Sequence, residues 1–159
     1  MGSNPIHRAN LSQSEMNLPS QNLGQHCSFG GNRVESQIPH TIIGTNLGFS
    51  IARVLNGVAY LSGIVCREAI DKYTHLSFGD QFHKMLATLD ARLSLVKSDK
   101  SKLLEVTVHL ASMEYYDSMS QIWQQWLGST SPPARTTVEA KLLGNCLAEI
   151  TVITASDIR

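Results

Sequence analysis

The sequence predicts an α+β domain, a mixed β-sheet with two helices on one face, its elements in the order ββαβαββ. Three observations predict it. Asn56-Gly57 stands between two runs of apolar and β-branched residues. That pair is the strongest short hairpin signal, because both residues tolerate positive φ. Residues 78–97 and 113–127 carry apolar side chains at three- and four-residue steps, the period of a helix with one buried face. Leu104, Val106, Val108 and Leu110 alternate with Glu105, Thr107 and His109, the period of a half-buried strand.

The elements follow in order. Residues 49–55 and 58–66 read as the first two strands, and 67–76 as a loop. The first helix presents Phe78, Phe82, Met85, Leu86, Leu89, Leu93 and Val96 on one face. The alternating strand at 104–110 comes next. The second helix carries Tyr116, Met119, Ile122, Trp123 and Trp126 on one face, and the segment from Gly128 to Pro133 breaks it. Trp123 and Trp126 read as helix core. Strands at 135–143 and 146–155 finish the chain, joined by a tight Gly144-Asn145 turn. Residues 1–40 differ from all this. Asn, Ser, Gln, Gly and Pro dominate them, which reads as a flexible or coil extension ahead of a domain at 41–159. Within it, Gly30-Gly31 lacks the strand–helix setting of a phosphate loop, and His26-Cys27 is too small a set for a metal.

Composition sets limits. At 159 residues, 42% hydrophobic and 16% charged, the chain can bury one core. Lys+Arg and Asp+Glu both number 13, and no basic run interleaves with aromatics. A general nucleic-acid surface is not expected. No apolar run is long enough to span a membrane, and the first residues hold no apolar signal segment. Cys27, Cys66 and Cys146 form no CxxC pair, which excludes a disulfide framework or a zinc site and fits a reducing, cytoplasmic setting. Cys66 and Cys146 read as buried small hydrophobes. His75, His83 and His109 sit in no nucleophilic triad pattern, and Glu139 reads as a structural partner of Arg135 or Lys141. Val58, Tyr60, Leu61, Ile64 and Val65 supply apolar groups to both sides of one strand. Helices on one face leave the other uncovered, so an oligomer is expected.

The segment Ser131-Pro132-Pro133-Ala134-Arg135-Thr136-Thr137-Val138-Glu139-Ala140 carries the most chemistry. The prolines fix φ and stiffen the approach to Arg135. Thr-Thr-Val-Glu-Ala then reads as strand. An arginine held at the mouth of a strand is prepared to grip a carboxylate with two parallel hydrogen bonds. Glu149 follows in the next strand. The plainer reading is a surface or salt-bridge arginine for Arg135 and a salt bridge at a strand end for Glu149.

This segment resembles the PAR-[ST]-x-VE-[VA] signature of the RidA/YjgF family of imine and enamine deaminases. The resemblance runs over roughly 49–155. Val54-Leu55-Asn56-Gly57-Val58-Ala59-Tyr60-Leu61-Ser62-Gly63 is similar to the family's first hairpin, which ends in Ser-Gly. The two helices and the middle strand follow at family spacing. The resemblance implies a chorismate-mutase-like domain that forms a homotrimer, its sheets packed into a central barrel with three clefts between subunits. It implies hydrolysis of small 2-imino or 2-enamino acids to 2-keto acids and ammonia, without cofactor or metal. Arg135 would grip the substrate carboxylate, and Glu149 would hold or activate water. Ser62 and Gly63 match the Ser-Gly that lines the family's cleft. Phe49 stands where many members have tyrosine, Ile64 where glutamine is common, Ser120 where asparagine is usual, and Thr137 where many have cysteine. These departures imply a more apolar substrate pocket. They favour a bulkier imine, in a member adapted to biosynthesis. A non-catalytic metabolite-binding module is the third reading. A ribonuclease role, proposed for relatives, finds little support in the neutral charge.

Overall fold

The computed structural model describes residues 41–46 and 48–158. The expected extension at 1–40, with Cys27, His26 and the Gly30-Gly31 pair, lies outside the described residues. Six strands form one sheet: β1 (Thr41–Asn46), β2 (Phe49–Leu55), β3 (Val58–Val65), β4 (Leu103–Leu110), β5 (Ala134–Glu139) and β6 (Ala148–Ala155). Two helices, α1 (Phe78–Leu95) and α2 (Tyr116–Leu127), lie between β3 and β5 in sequence. The sheet order is β1-β2-β3-β6-β4-β5. All neighbours are antiparallel except β4 and β5, so the sheet is mixed, as expected.

The sequence reading is corrected at two points. The order is βββαβαββ, because β1 adds an edge strand to β2. β1 escapes a pattern reading because Gly44, at φ 54°, interrupts its alternation. In addition, β5 stops at Glu139 and does not pair with β6; β4 lies between them. The chain passes from β4 through α2 to β5, which makes that pair parallel. Residues 140–147 then lead back to the middle of the sheet. The Gly144-Asn145 turn is real, but it anchors this loop elsewhere. Gly144 has φ 60°, and the Asn145 side-chain amide donates to the Lys72 carbonyl at 2.7 Å.

Hairpin and helix signals hold to within a few residues. Asn56 at φ 52° and Gly57 at φ 74° make the β2–β3 turn. Ser77 caps α1 by accepting from the Asp80 N–H at 3.1 Å. At the other end Lys97 takes φ 51°, and the Ser98 N–H closes on the Leu93 carbonyl at 2.9 Å. This is a Schellman ending made without glycine.

Both helices pack on one face. The core joins Phe82, Met85, Leu89 and Leu93 of α1 and Met119 and Trp123 of α2 to alternate residues of the strands, among them Ala52, Leu61, Val108 and Ile150. The opposite face carries Tyr60, Thr107, His109, Val138, Glu149, Thr151 and Ile153. Tyr60 is 49% exposed and Val138 39%, so among the described residues no element covers this face.

Candidate functional site

Two clusters of sequence-predicted residues form, one on each face of the sheet. The first is built on a β-bulge. β3 pairs with β6 through Leu61↔Val152 and then Ile64↔Ile150, so Ser62 and Gly63 together oppose Thr151 alone. The extra residue turns both Leu61 and Ile64 toward the helices. Ile64 is only 1% exposed, and its side chain belongs to the core. It is not available to line a cleft, contrary to the sequence reading.

The bulge is held from below. Arg92 of α1 donates from one terminal nitrogen to the Ser62 carbonyl at 3.0 Å, the Ser62 Oγ at 3.2 Å and, more weakly, the Gly63 carbonyl at 3.4 Å. Ser62 Oγ in turn donates to the Ile51 carbonyl at 3.3 Å. Burial lowers the Arg92 pKa from its ordinary value. The sequence reading missed Arg92, yet a signal existed. It falls on the same stripe as Leu89, Leu93 and Val96, where a charge is out of place unless it has acceptors to meet.

Glu149 stands above the bulge on the uncovered face, opposite Val65 of β3 and His109 of β4. A Cβ placed on Gly63 would run into Glu149 Oε1, so only glycine lets the carboxylate lie there. The carboxylate has no hydrogen bond and no ion pair among the described residues. Phe49 opens β2 with 53% exposure, on the same face by alternation with Ile51 and Arg53.

The second cluster lies at the β5 edge, under α2. Arg135 pairs with Val106, a core-facing position, and is half-buried. Among the described residues its guanidinium meets only the Met119 sulfur, at 3.6 Å. Thr137 follows two positions along the same strand face. Ser120 Oγ, in the adjoining turn of α2, is buried without a partner. Glu139 does not pair with Arg135 or Lys141. It accepts the Met113 N–H at 2.9 Å.

Neither Arg135 nor Glu149 has a salt bridge among the described residues. The ion pairs among the described residues are Lys84–Glu68 and Lys102–Asp157, both remote. One chain does not bring Arg135 and Glu149 together, since they lie on opposite faces of the sheet. Burial pushes the Cys66 and Cys146 thiols up, which keeps them protonated and poor nucleophiles. The described residues hold no group of three or more His, Cys, Asp or Glu arranged for a metal. No described helix is long and apolar enough to cross a membrane. A groove of 680 Å³ beside the 140–147 loop is lined by His75, Gln81, Lys141 and Asn145, and touches neither Arg135 nor Glu149. A hollow of 200 Å³ on the uncovered face is lined by Tyr60, Glu105, Thr107, Thr151 and Ile153.

Comparison with known proteins gives a consistent picture. Residues 42–156 match the family described as Endoribonuclease L-PSP. A RutC family protein of Haemophilus ducreyi is 36% identical over 110 residues, 68% of this chain and 88% of the relative. The RutC family protein YoaB of Escherichia coli is 34% identical over 64 residues, 40% of this chain and 56% of the relative. Among solved structures, a YjgF family protein of Neisseria meningitidis superposes with TM-score 0.67 at 28% identity, covering 77% of this chain and 98% of its own. Yeast Mmf1 shares the fold, with TM-score 0.67 at 21% identity over 74% of this chain and 99% of its own.

Proposed function

Because the chain belongs to the Endoribonuclease L-PSP family, which takes in the RutC and YjgF proteins, we propose that it hydrolyses 2-imino or 2-enamino acids to 2-keto acids and ammonia, in clefts between the copies of a homotrimer. One observation carries this reading. A guanidinium and a carboxylate, Arg135 and Glu149, both lack ionic partners among the described residues and lie on opposite faces of one sheet. Opposite faces cannot serve one substrate within a chain, but the β5 edge of one copy can meet the bulge face of the next.

In such a cleft Arg135 grips the substrate carboxylate through its planar fork. The buried Ser120 hydroxyl and Thr137 add polar contacts beside it. Across the cleft, Glu149 takes a proton from water as that water attacks the C=N carbon. Orientation of carboxylate, imine and water supplies much of the acceleration. Ile64 is withdrawn into the core, so the apolar character of the pocket rests on Phe49. Its exposed ring favours a substrate with an apolar portion beyond the amino-acid skeleton, the biosynthetic variant of the same reaction.

The test couples the protein to an imine-generating oxidase or dehydratase and follows keto-acid release. Arg135→Lys should weaken binding of a carboxylate ligand by about 1.5–3 kcal/mol, the worth of a hydrogen bond to a charged group. Glu149→Gln should lower turnover while a stable 2-keto acid still binds. If both variants keep full activity, the assignment of the site is wrong.

A further inference from the structure

We propose that His109 is a second proton-carrying residue of this site, acting beside Glu149; the inference rests on the hydrolytic reading above. His109 faces the uncovered side of β4, directly opposite Glu149 of β6. Residues so paired hold their Cβ atoms roughly 4.5–5.5 Å apart. The Nδ1 of His109 is shut off from solvent and has no hydrogen-bond partner among the described residues. A buried imidazole nitrogen without a partner is uncommon, and a catalytic role is one of its few physical explanations. The adjoining positions on this face are Thr107 on its own strand, Val138 on β5 and Glu149 on β6, with Val65 of β3 beyond Glu149. Glu149 is the one ionisable group among them, and both helices lie on the other face.

Imine hydrolysis needs two proton positions. The attacking water must lose a proton, and the imine nitrogen must gain one. Glu149 as carboxylate and His109 as imidazolium supply both. Water oxygen bonds to the C=N carbon, its proton passes to Glu149, and the π electrons move to nitrogen, which takes the proton of His109. The carbinolamine then collapses. Its nitrogen takes the proton from Glu149 and leaves as ammonia, the C=O bond forms, and the hydroxyl proton returns to His109. Both residues end as they began. A lone carboxylate would have to serve both positions in turn.

The test is the pH dependence of kcat/KM for the full chain, with His109→Asn and His109→Gln compared to wild type and Glu149→Gln. Wild type should show a bell-shaped profile, with one acidic and one alkaline limb. Removing His109 should abolish the alkaline limb and lower kcat by roughly 10²-fold. Binding of a stable 2-keto acid should persist. A purely structural role would leave the shape of the profile unchanged, and that result overturns the proposal while leaving the hydrolytic reading intact. If neither variant folds, the ring ¹⁵N signals of wild-type His109 must titrate along the alkaline limb, and signals that do not move there overturn it equally. A wild-type protein inactive on every imine supplied overturns both readings together.

Discussion

Single residues here act through what they lack as much as through what they touch. Arg135 and Glu149 were legible in the sequence because a Pro-Pro approach and alternating strands place them at fixed points. Their lack of ionic partners among the described residues was not legible, since pairing depends on which strand neighbours which. Arg92 was the reverse case. Its helix was evident, but its acceptors are carbonyls exposed by a bulge that no local pattern announces. Arg92 should therefore matter more than a helix arginine ordinarily would. Arg92→Met keeps the stem and strands the Ser62 and Gly63 carbonyls. Loss of hydrogen bonds from a charged donor should cost about 1.5–3 kcal/mol, read by denaturant unfolding. Arg92→Lys retains a donor and should recover part of that loss. Equal stability of all three proteins would show that the bulge holds itself. Gly63→Ala tests the bulge from above. The new methyl must displace Glu149 Oε1. Turnover should fall more than stability, because the carboxylate is flexible and the backbone is not.

Elements were readable where each carries its own signal. The hairpin, both helices and β4 were found from period and turn chemistry alone. β1 was missed because a glycine breaks its pattern, and the β5–β6 connection was misread because a tight turn looks the same whether or not its strands pair. Residues 140–147 form a loop pinned to a distant part of the chain. The Asn145 N–H donates to the Ala69 carbonyl at 2.8 Å, and the buried Gln81 amide bonds both the Asn145 carbonyl at 3.0 Å and the Leu147 N–H at 2.9 Å. Gly144 makes this possible. A Cβ there would strike the Ile70 carbonyl, and the residue's positive φ is costly for any side chain. Gly144→Ala should destabilise the fold by at least about 1–2 kcal/mol from the backbone alone. The midpoint shift in thermal unfolding checks it. Because the loop delivers the chain into β6 one residue before Glu149, activity should fall in parallel. An unchanged midpoint would mean that the loop is not anchored as described.

At the scale of the whole molecule, the deciding fact is a sheet with one face that no described element covers. Tyr60, Val138 and Ile42 are exposed there, with Ile153 half-buried between them. An apolar face of this kind marks an association surface. We expect light scattering to give three times the 17.5 kDa chain mass, and Tyr60→Glu to shift the protein toward folded monomers that have lost activity. Assembly alone does not show that copies share a site, but a mixing experiment does. Arg135→Met and Glu149→Gln should each be inactive as pure proteins. In trimers assembled from equal parts of both, a cleft that draws arginine from one chain and carboxylate from its neighbour is intact whenever the two contributing chains complement each other. Random assembly then restores about one quarter of the wild-type clefts. If both residues acted from the same chain, every cleft would carry one defect and mixing would restore nothing. The two outcomes differ by a measurable rate of keto-acid release. The opposite-face placement of Arg135 and Glu149 predicts the first.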